Sequence, residues 1–528
     1  MTRTRSLAFS TSRASVLRAN LLPWGRVLFL SLAASLSAAS LSEATYNDLM
    51  GFPELQSQLG GSIPTGSSIE VQQVEAEIAS GPSAGHYFPS SGEFVGKTLT
   101  NETLIAGAPS ADGGTSPHSS TVGRNFFGNT NSIAPGISTI DVFEANHWLA
   151  NGFLRRGTAS APVVTTARVS NHSWIGAFPN ASDTINALQR TDFIVEQDDL
   201  IVVAGVPNSG ANQPLLKDAY NEISVGLTNG NHVEGTTALN STYIAGRQAP
   251  DLVTPGFRFD NNLQRTSWAA PMVSAASALL LETGQAAALS NGTITNRTRT
   301  INHAETSEVI KAVLMAGTDR HVTGFRDPAF TDLTDYTVDT TNNLDLDYGA
   351  GQMNIFNSYN ILAAGEQDSV EDGLSVAIGD RGWDYDPSFG GAGGSNATGT
   401  YRFIAAKDGD LLQTTLAWNA KVDLVGASLT TTVNDFNLEL VDVTVPVSEV
   451  VVASSNSLIH NTENLYFDGL VAGSIYELRV TSTSSVDWDY ALAWQITTIP
   501  EPSALLLAAC SLAALSKRRR HRSSYSHR

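Results

Sequence analysis

Between Gly61 and about Leu362 the chain alternates short apolar runs with turn-rich stretches and helical segments, the order expected of an α/β domain around a largely parallel sheet. The predicted strands are "SIEVQQVEA", "ISTIDVF", "DLIVVAGV" and "PDLVTPG", and the clearest predicted helices run over Ser267–Glu282 and Ser307–Thr318. From about Glu366 to Asn396 a passage rich in Gly, Asp and Ser reads as a linker. Period-2 alternation then takes over in "LLQTTLAWNA", "NDFNLELVDV", "SEVVVASS", "NLYFDGL", "SIYELRVTST" and "DYALAWQI", which predicts an all-β antiparallel sandwich of jelly-roll type. The predicted organisation is a leader over 1–44, an α/β domain over 45–365, a linker over 366–396, a sandwich over 397–498 and a tail over 499–528.

The two ends change the reading of the charge. The first 44 residues combine scattered arginines, the apolar run Val27–Ala39 and small residues before Glu43, as an export signal does. That run is short for a membrane span, so cleavage near Ala39 or Ala44 is expected. The tail joins a Pro-Glu-Pro turn at Pro500–Pro502, an apolar segment Ser503–Leu515 and a basic cluster Lys517–Arg522, a membrane-seeking helix with a positive stop. The whole chain carries a formal charge of -20, and without the basic ends it falls to roughly -30. So acidic a surface repels phosphate backbones and excludes nucleic acid as a partner. Cys510, in the tail, is the only cysteine, so the body has no disulfide and relies on its core.

In "RTSWAAPMVSAASALLLE", Arg265–Glu282, Thr266 or Ser267 has the ordinary reading of an N-cap. The sharper reading makes Ser267 a nucleophile at a helix N-terminus, where N–H groups and the helix dipole favour developing negative charge. Ala269, Ala270, Ala275, Ala276 and Ala278 would let this helix lie close against another backbone, with Pro271 accommodated in its first turn.

This stretch resembles the subtilase serine-protease signature G-T-S-x-A-x-P-x-V, matched at Thr266, Ser267, Ala269, Pro271 and Val273. "APDLVTPG", Ala249–Gly256, is similar to the segment that precedes the family's serine, and "SPHSSTVGRNFFGNTNSIAPG", Ser116–Gly136, to its histidine helix and the turn that follows. The resemblance covers about residues 55–497 and implies a subtilisin-like doubly wound sheet and serine-type endopeptidase activity. It makes Ser267 the nucleophile and His118 the base, with Asn208 of "IVVAGVPNSGANQP" as the oxyanion donor. Ser173, Trp174 and Gly176 fall in the edge that pairs with substrate backbone, and His172 is the rival imidazole. Counting from Gly66 puts Glu75 where the family has aspartate; glutamate keeps the charge that holds an imidazolium. Asp141 and Asp112 are the competing acids.

Arg265 and Ser119 replace family glycines, Pro207 stands where glycine is expected, and the span before Glu75 is short for a folding prodomain. These departures motivate the alternative of a catalytically impaired scaffold that binds peptide strands or extracellular matrix. The resemblance requires no cofactor. Structural Ca2+ is a family habit for which Asp380–Asp386 and Asp408–Asp410 offer oxygens, with solvated acidic loops as their ordinary reading. The tail resembles the PEP-CTERM sorting signal, which implies an exosortase as processing partner, transient membrane anchoring, and a surface or extracellular destination in a Gram-negative bacterium; a plain C-terminal anchor is its alternative.

Overall fold

The computed structural model describes residues 47–103, 114–210, 213–258, 263–320, 336–372, 376–426 and 428–498. The leader, the tail and Asp112 lie outside them. A seven-stranded sheet has the order β2-β3-β1-β4-β5-β6-β7, parallel throughout. Its strands are β1 (Val71–Glu75), β2 (Thr98–Asn101), β3 (Thr139–Glu144), β4 (Val169–His172), β5 (Ile201–Gly205), β6 (Ile223–Leu227) and β7 (Leu252–Thr254). β1, β5 and β6 are buried along their whole length; β5 and β6 read as near-continuous apolar runs, whereas β1 buries the polar side chains of Gln72, Gln73 and Glu75. β1 has β3 on one side and β4 on the other, so the chain order reverses around it. In open α/β sheets such a switch point opens a crevice beyond the carboxyl ends of the strands, and Glu75 is the last residue of β1.

The helices are α1 (Phe52–Leu59), α2 (Pro117–Phe127), the short α3 (Ala145–His147), α4 (Ala181–Asp198), α5 (Thr266–Gly284), α6 (Ser307–Ala316) and α7 (Ile355–Ala363). α5 packs on α2 and on β4, β5 and β6. Its five alanines named above are fully buried, and a Cβ added at Gly205 would lie 3.0 Å from the Thr266 carbonyl, so small residues set the helix-to-sheet distance. Pro271 lies in the second turn of α5, not the first as expected.

A small hairpin of β8 (Thr293–Thr295) and β9 (Thr300–Asn302) precedes α6. The rest is antiparallel and contains β10 (Val370–Glu371), β11 (Arg381–Gly391), β12 (Thr398–Ile404), β13 (Leu411–Ala417), β14 (Lys421–Val425), β15 (Ser428–Thr432), β16 (Asn437–Asp442), β17 (Val450–Ser455), β18 (Thr462–Phe467), β19 (Ile475–Thr481) and β20 (Ser485–Thr497). Sheet β10-β12-β19-β16-β17 faces sheet β11-β20-β13-β18 across a shared core that includes Phe389, Tyr401, Leu416, Leu478 and Trp494.

The second of these sheets also packs on α6 and α7. Along β20, Tyr490, Leu492 and Trp494 enter the sandwich core, while Ala491 and Ala493 between them join the cluster of the α/β domain. Residues 366–396 are therefore not a linker. They contain β11, whose Trp383 is fully buried in the α/β cluster and donates its indole N–H to the Leu362 carbonyl at 2.9 Å.

Candidate active site

β1 ends and α2 begins within one hydrogen bond of each other. Ser116 caps α2 by accepting from the Ser119 N–H, and Pro117 opens the helix, which puts His118 in the first turn. Its Nδ1 lies 2.9 Å from Glu75 Oε2, with Glu75 1% exposed and His118 41% exposed. An ionised carboxylate only accepts, so Nδ1 carries the hydrogen and Nε2 is left as the ring's acceptor. Burial works to lower the pKa of His118, but the charge of Glu75 and its hydrogen bond outweigh it and hold the pKa above the ordinary value. The Trp268 ring, 5.0 Å from the imidazole, flanks it.

Ser267 is the second residue of α5. The N-cap position belongs to Arg265, whose side chain makes no capping bond, so neither Thr266 nor Ser267 is the cap. Among the described residues the Ser267 hydroxyl has no hydrogen-bond partner, and it shares a cleft of about 420 Å³ with His118, Glu75, Ser173, Trp174, Gly205, Asn208 and Thr266. Pro271 accounts for a further contact. Lacking an N–H, it cannot bond the carbonyl four residues back, which is that of Ser267; the Ser173 hydroxyl donates to this carbonyl at 3.0 Å instead. Asn171 Nδ2 donates to Ser173 Oγ at 3.1 Å, and Ser274 Oγ to Asn171 Oδ1 at 3.0 Å, so the end of β4 is tied to α5 at Ser267 itself and again two turns further along the helix at Ser274.

Asn208 follows β5. Its Oδ1 accepts from the Thr266 N–H at 2.9 Å, which leaves its Nδ2 as the donor toward the cleft, beside the N–H of Ser267 at the helix N-terminus. Trp174 lines the cleft, and the Gly176 carbonyl accepts from the Leu215 N–H at 3.1 Å. His172 is fully buried, bonds Ser170 Oγ at 2.9 Å, and has its pKa pushed down to about 3 by burial, which removes it as the base. Asp141 lies on β3 away from the cleft walls; burial, then Glu102 and Glu70, push its pKa up to about 6.

One contributor carried no sequence signal. Gln73, fully buried two residues before Glu75, donates from Nε2 to Glu75 Oε1 at 3.2 Å and to Ser119 O and Oγ at 2.9 Å each. A carboxylate and a carbonyl are acceptors only, so the amide orientation is settled. Gln73 thus binds the acid to the turn that carries the histidine, and Ser119, a departure from the family pattern, is its partner. In Gln73→Leu we expect kcat to fall about 10- to 100-fold with KM little changed, the signature of a misaligned catalytic pair. Steady-state kinetics beside a thermal melt check this.

Carboxylates of the acidic stretches are hydrogen-bonded to neighbouring protein groups. Among the described residues, one trio of carboxylates converges, Glu366, Asp368 and Asp384, with ligand oxygens within 4.8 Å of one another. Protein donors already occupy it: His303 and the Asn291 N–H on Glu366, the Asn291 amide on Asp368, and Tyr401 with the Ser369 N–H on Asp384. Asp386, Asp408 and Asp410 likewise accept from nearby backbone N–H groups.

Residues 134–351 match the profile of the Subtilase family. No curated protein matches the chain. Among solved structures, a Pseudomonas sedolisin, a serine-carboxyl proteinase, aligns at 13% identity over 61% of this chain and 99% of its own, with a TM-score of 0.36. A cold-adapted subtilisin-like serine proteinase aligns at 16% identity over 51% and 88%, with a TM-score of 0.29. The pre-peptidase C-terminal domain of a Bacillus anthracis collagenase aligns at 15% identity over 24% and 100%, with a TM-score of 0.18. The chain is thus similar to the Subtilase family over residues 134–351, a span that contains Asn208 and Ser267, while Glu75 and His118 reach the same cleft from outside it.

Proposed function

We propose that the protein is a subtilisin-like serine endopeptidase with glutamate as the acid of its triad. The observation that carries the reading is the Glu75–His118 hydrogen bond, in a cleft that also holds Ser267 and Asn208. His118 Nε2 takes the hydroxyl proton as Ser267 Oγ attacks the scissile carbonyl carbon. Negative charge moves onto the carbonyl oxygen, where Asn208 Nδ2 and the Ser267 N–H donate to it. Collapse breaks the C–N bond, and the proton held by His118 passes to the departing amine. Water, deprotonated by the same imidazole, then hydrolyses the acyl-enzyme and restores Ser267. Glu75 keeps the productive tautomer and stabilises the imidazolium throughout.

Treating the purified protein with a fluorophosphonate probe and locating the adduct by mass spectrometry tests this. Labelling at Ser267 that is lost in His118→Ala is the expected result. Folded protein that takes no label would defeat the peptidase and leave a scaffold that holds peptide strands. In Asn208→Ala kcat should drop about 10²- to 10³-fold while KM changes little, since the amide acts on the oxyanion and not on bound substrate. The same reading includes export, exosortase processing at the tail and action at the cell surface, which terminal sequencing of the mature protein checks.

A further inference from the structure

Beyond Glu75 the chain runs along the cleft as Ala76, Glu77 and Ile78. This segment is held in place: the Ile78 N–H donates to the His86 carbonyl at 3.0 Å, and the Gly85 N–H to the Ile78 carbonyl at 2.9 Å. The two carboxylates on the cleft wall have different employment. Glu75 is buried and engaged by His118 and Gln73. Glu77 is exposed, and among the described residues no donor or cation meets its carboxylate.

No lysine or arginine is among the described residues of the wall, whose other members are His118, small or polar residues, and the apolar Ile78, Trp174 and Ile175. Arg265, two residues before Ser267, is outside it and donates to the Gln264 carbonyl at 2.7 Å. Glu77 is therefore the carboxylate on the cleft wall that no protein donor engages among the described residues, in a protein of net charge -20. Low-dielectric walls focus such a field, and like charge in a substrate meets repulsion from Glu77 and from the protein as a whole.

We infer that Glu77 is a specificity-determining residue that selects peptides with a lysine or arginine side chain close to the bond presented to Ser267. This rests on the reading of the cleft as a peptide site. It adds a substrate class: cationic peptide segments are taken and acidic ones rejected.

The test uses the full chain with Ser267→Ala, so that peptides bind without being cut, and follows binding by tryptophan fluorescence, since Trp174 and Trp268 flank the site. The probes are alanine-based hexapeptides in which one arginine is walked along the sequence, each matched by citrulline, its neutral isostere, and by glutamate. At one or two positions arginine should bind roughly 5- to 20-fold tighter than citrulline at low salt, an advantage that shrinks as salt rises. Glu77→Gln should remove the difference between the two peptides, and Glu77→Lys should turn the preference toward glutamate. The side chain is exposed, so these variants are expected to fold, which near-UV circular dichroism verifies. Peptides bound with no preference for charge, or a preference that survives Glu77→Gln, would overturn the inference and leave the cleft reading intact. If no peptide binds at all, the cleft reading fails and this inference fails with it.

Discussion

Ser267→Ala should remove fluorophosphonate labelling and lower kcat by a factor of about 10⁵ to 10⁶ while leaving stability within about 0.5 kcal/mol of the parent. The combination discriminates between the two readings of this serine. A helix cap replaced by alanine loses roughly 1 kcal/mol. Here the N-cap position is held by Arg265 and the Ser267 hydroxyl makes no bond among the described residues, so its removal leaves nothing behind unpaired. The carbonyl of Ser267, which Ser173 satisfies, is backbone and survives the substitution. Activity lost with stability kept identifies a nucleophile. A drop in melting temperature with no change in activity would return Ser267 to a structural role.

Glu75→Gln should lower kcat by about 10⁴ and move the acid limb of kcat/KM to lower pH. Both effects follow from the bond at Nδ1. A glutamine amide can present its NH2 to the imidazole, which favours the tautomer with the hydrogen on Nε2, where it cannot accept the serine proton. The charge and hydrogen bond of Glu75 also hold the His118 pKa up against burial, so their loss lets it fall. The stability consequence has a definite sign. A histidine with a raised folded pKa contributes stabilisation that is present below its unfolded pKa, near 6.5, and is lost as pH rises through the folded value. The stability gap between parent and Glu75→Gln should therefore narrow with rising pH across that window, as denaturant melts at several pH values will show. Glu75→Asp should also lose activity, because retreat by one methylene opens a bond now 2.9 Å long. A gain in activity would mean that the glutamate is a defect.

Local pattern carried much of this protein. Short apolar stretches bounded by turn residues placed β1, β3, β5 and β7, and alternation placed β13 and β16 to β20, because burial leaves its trace in the residues themselves. Where an element draws its stability from partners, the pattern is silent. β2 is the half-exposed edge strand Thr-Leu-Thr-Asn, and β11 contains glycines, aspartates and a proline that imitate a linker. The residue types of the candidate site were also legible, as Ser267, His118, Asn208 and Glu75 sit in recognisable surroundings.

The sequence by itself determined the fold class and pointed to Ser267, His118, Glu75 and Asn208 as candidate polar groups. Only the tertiary structure decided how those groups bond. It joined Glu75 to a histidine 43 residues away, left His172 buried and Asp141 off the cleft, gave the cap of α5 to Arg265, and turned a glutamine unremarkable in sequence into the support of the acid. The physical reason is that period and propensity are properties of a segment. A hydrogen bond belongs to two groups, and which acceptor a buried donor finds is set where strand ends and helix starts converge at the switch point of the sheet.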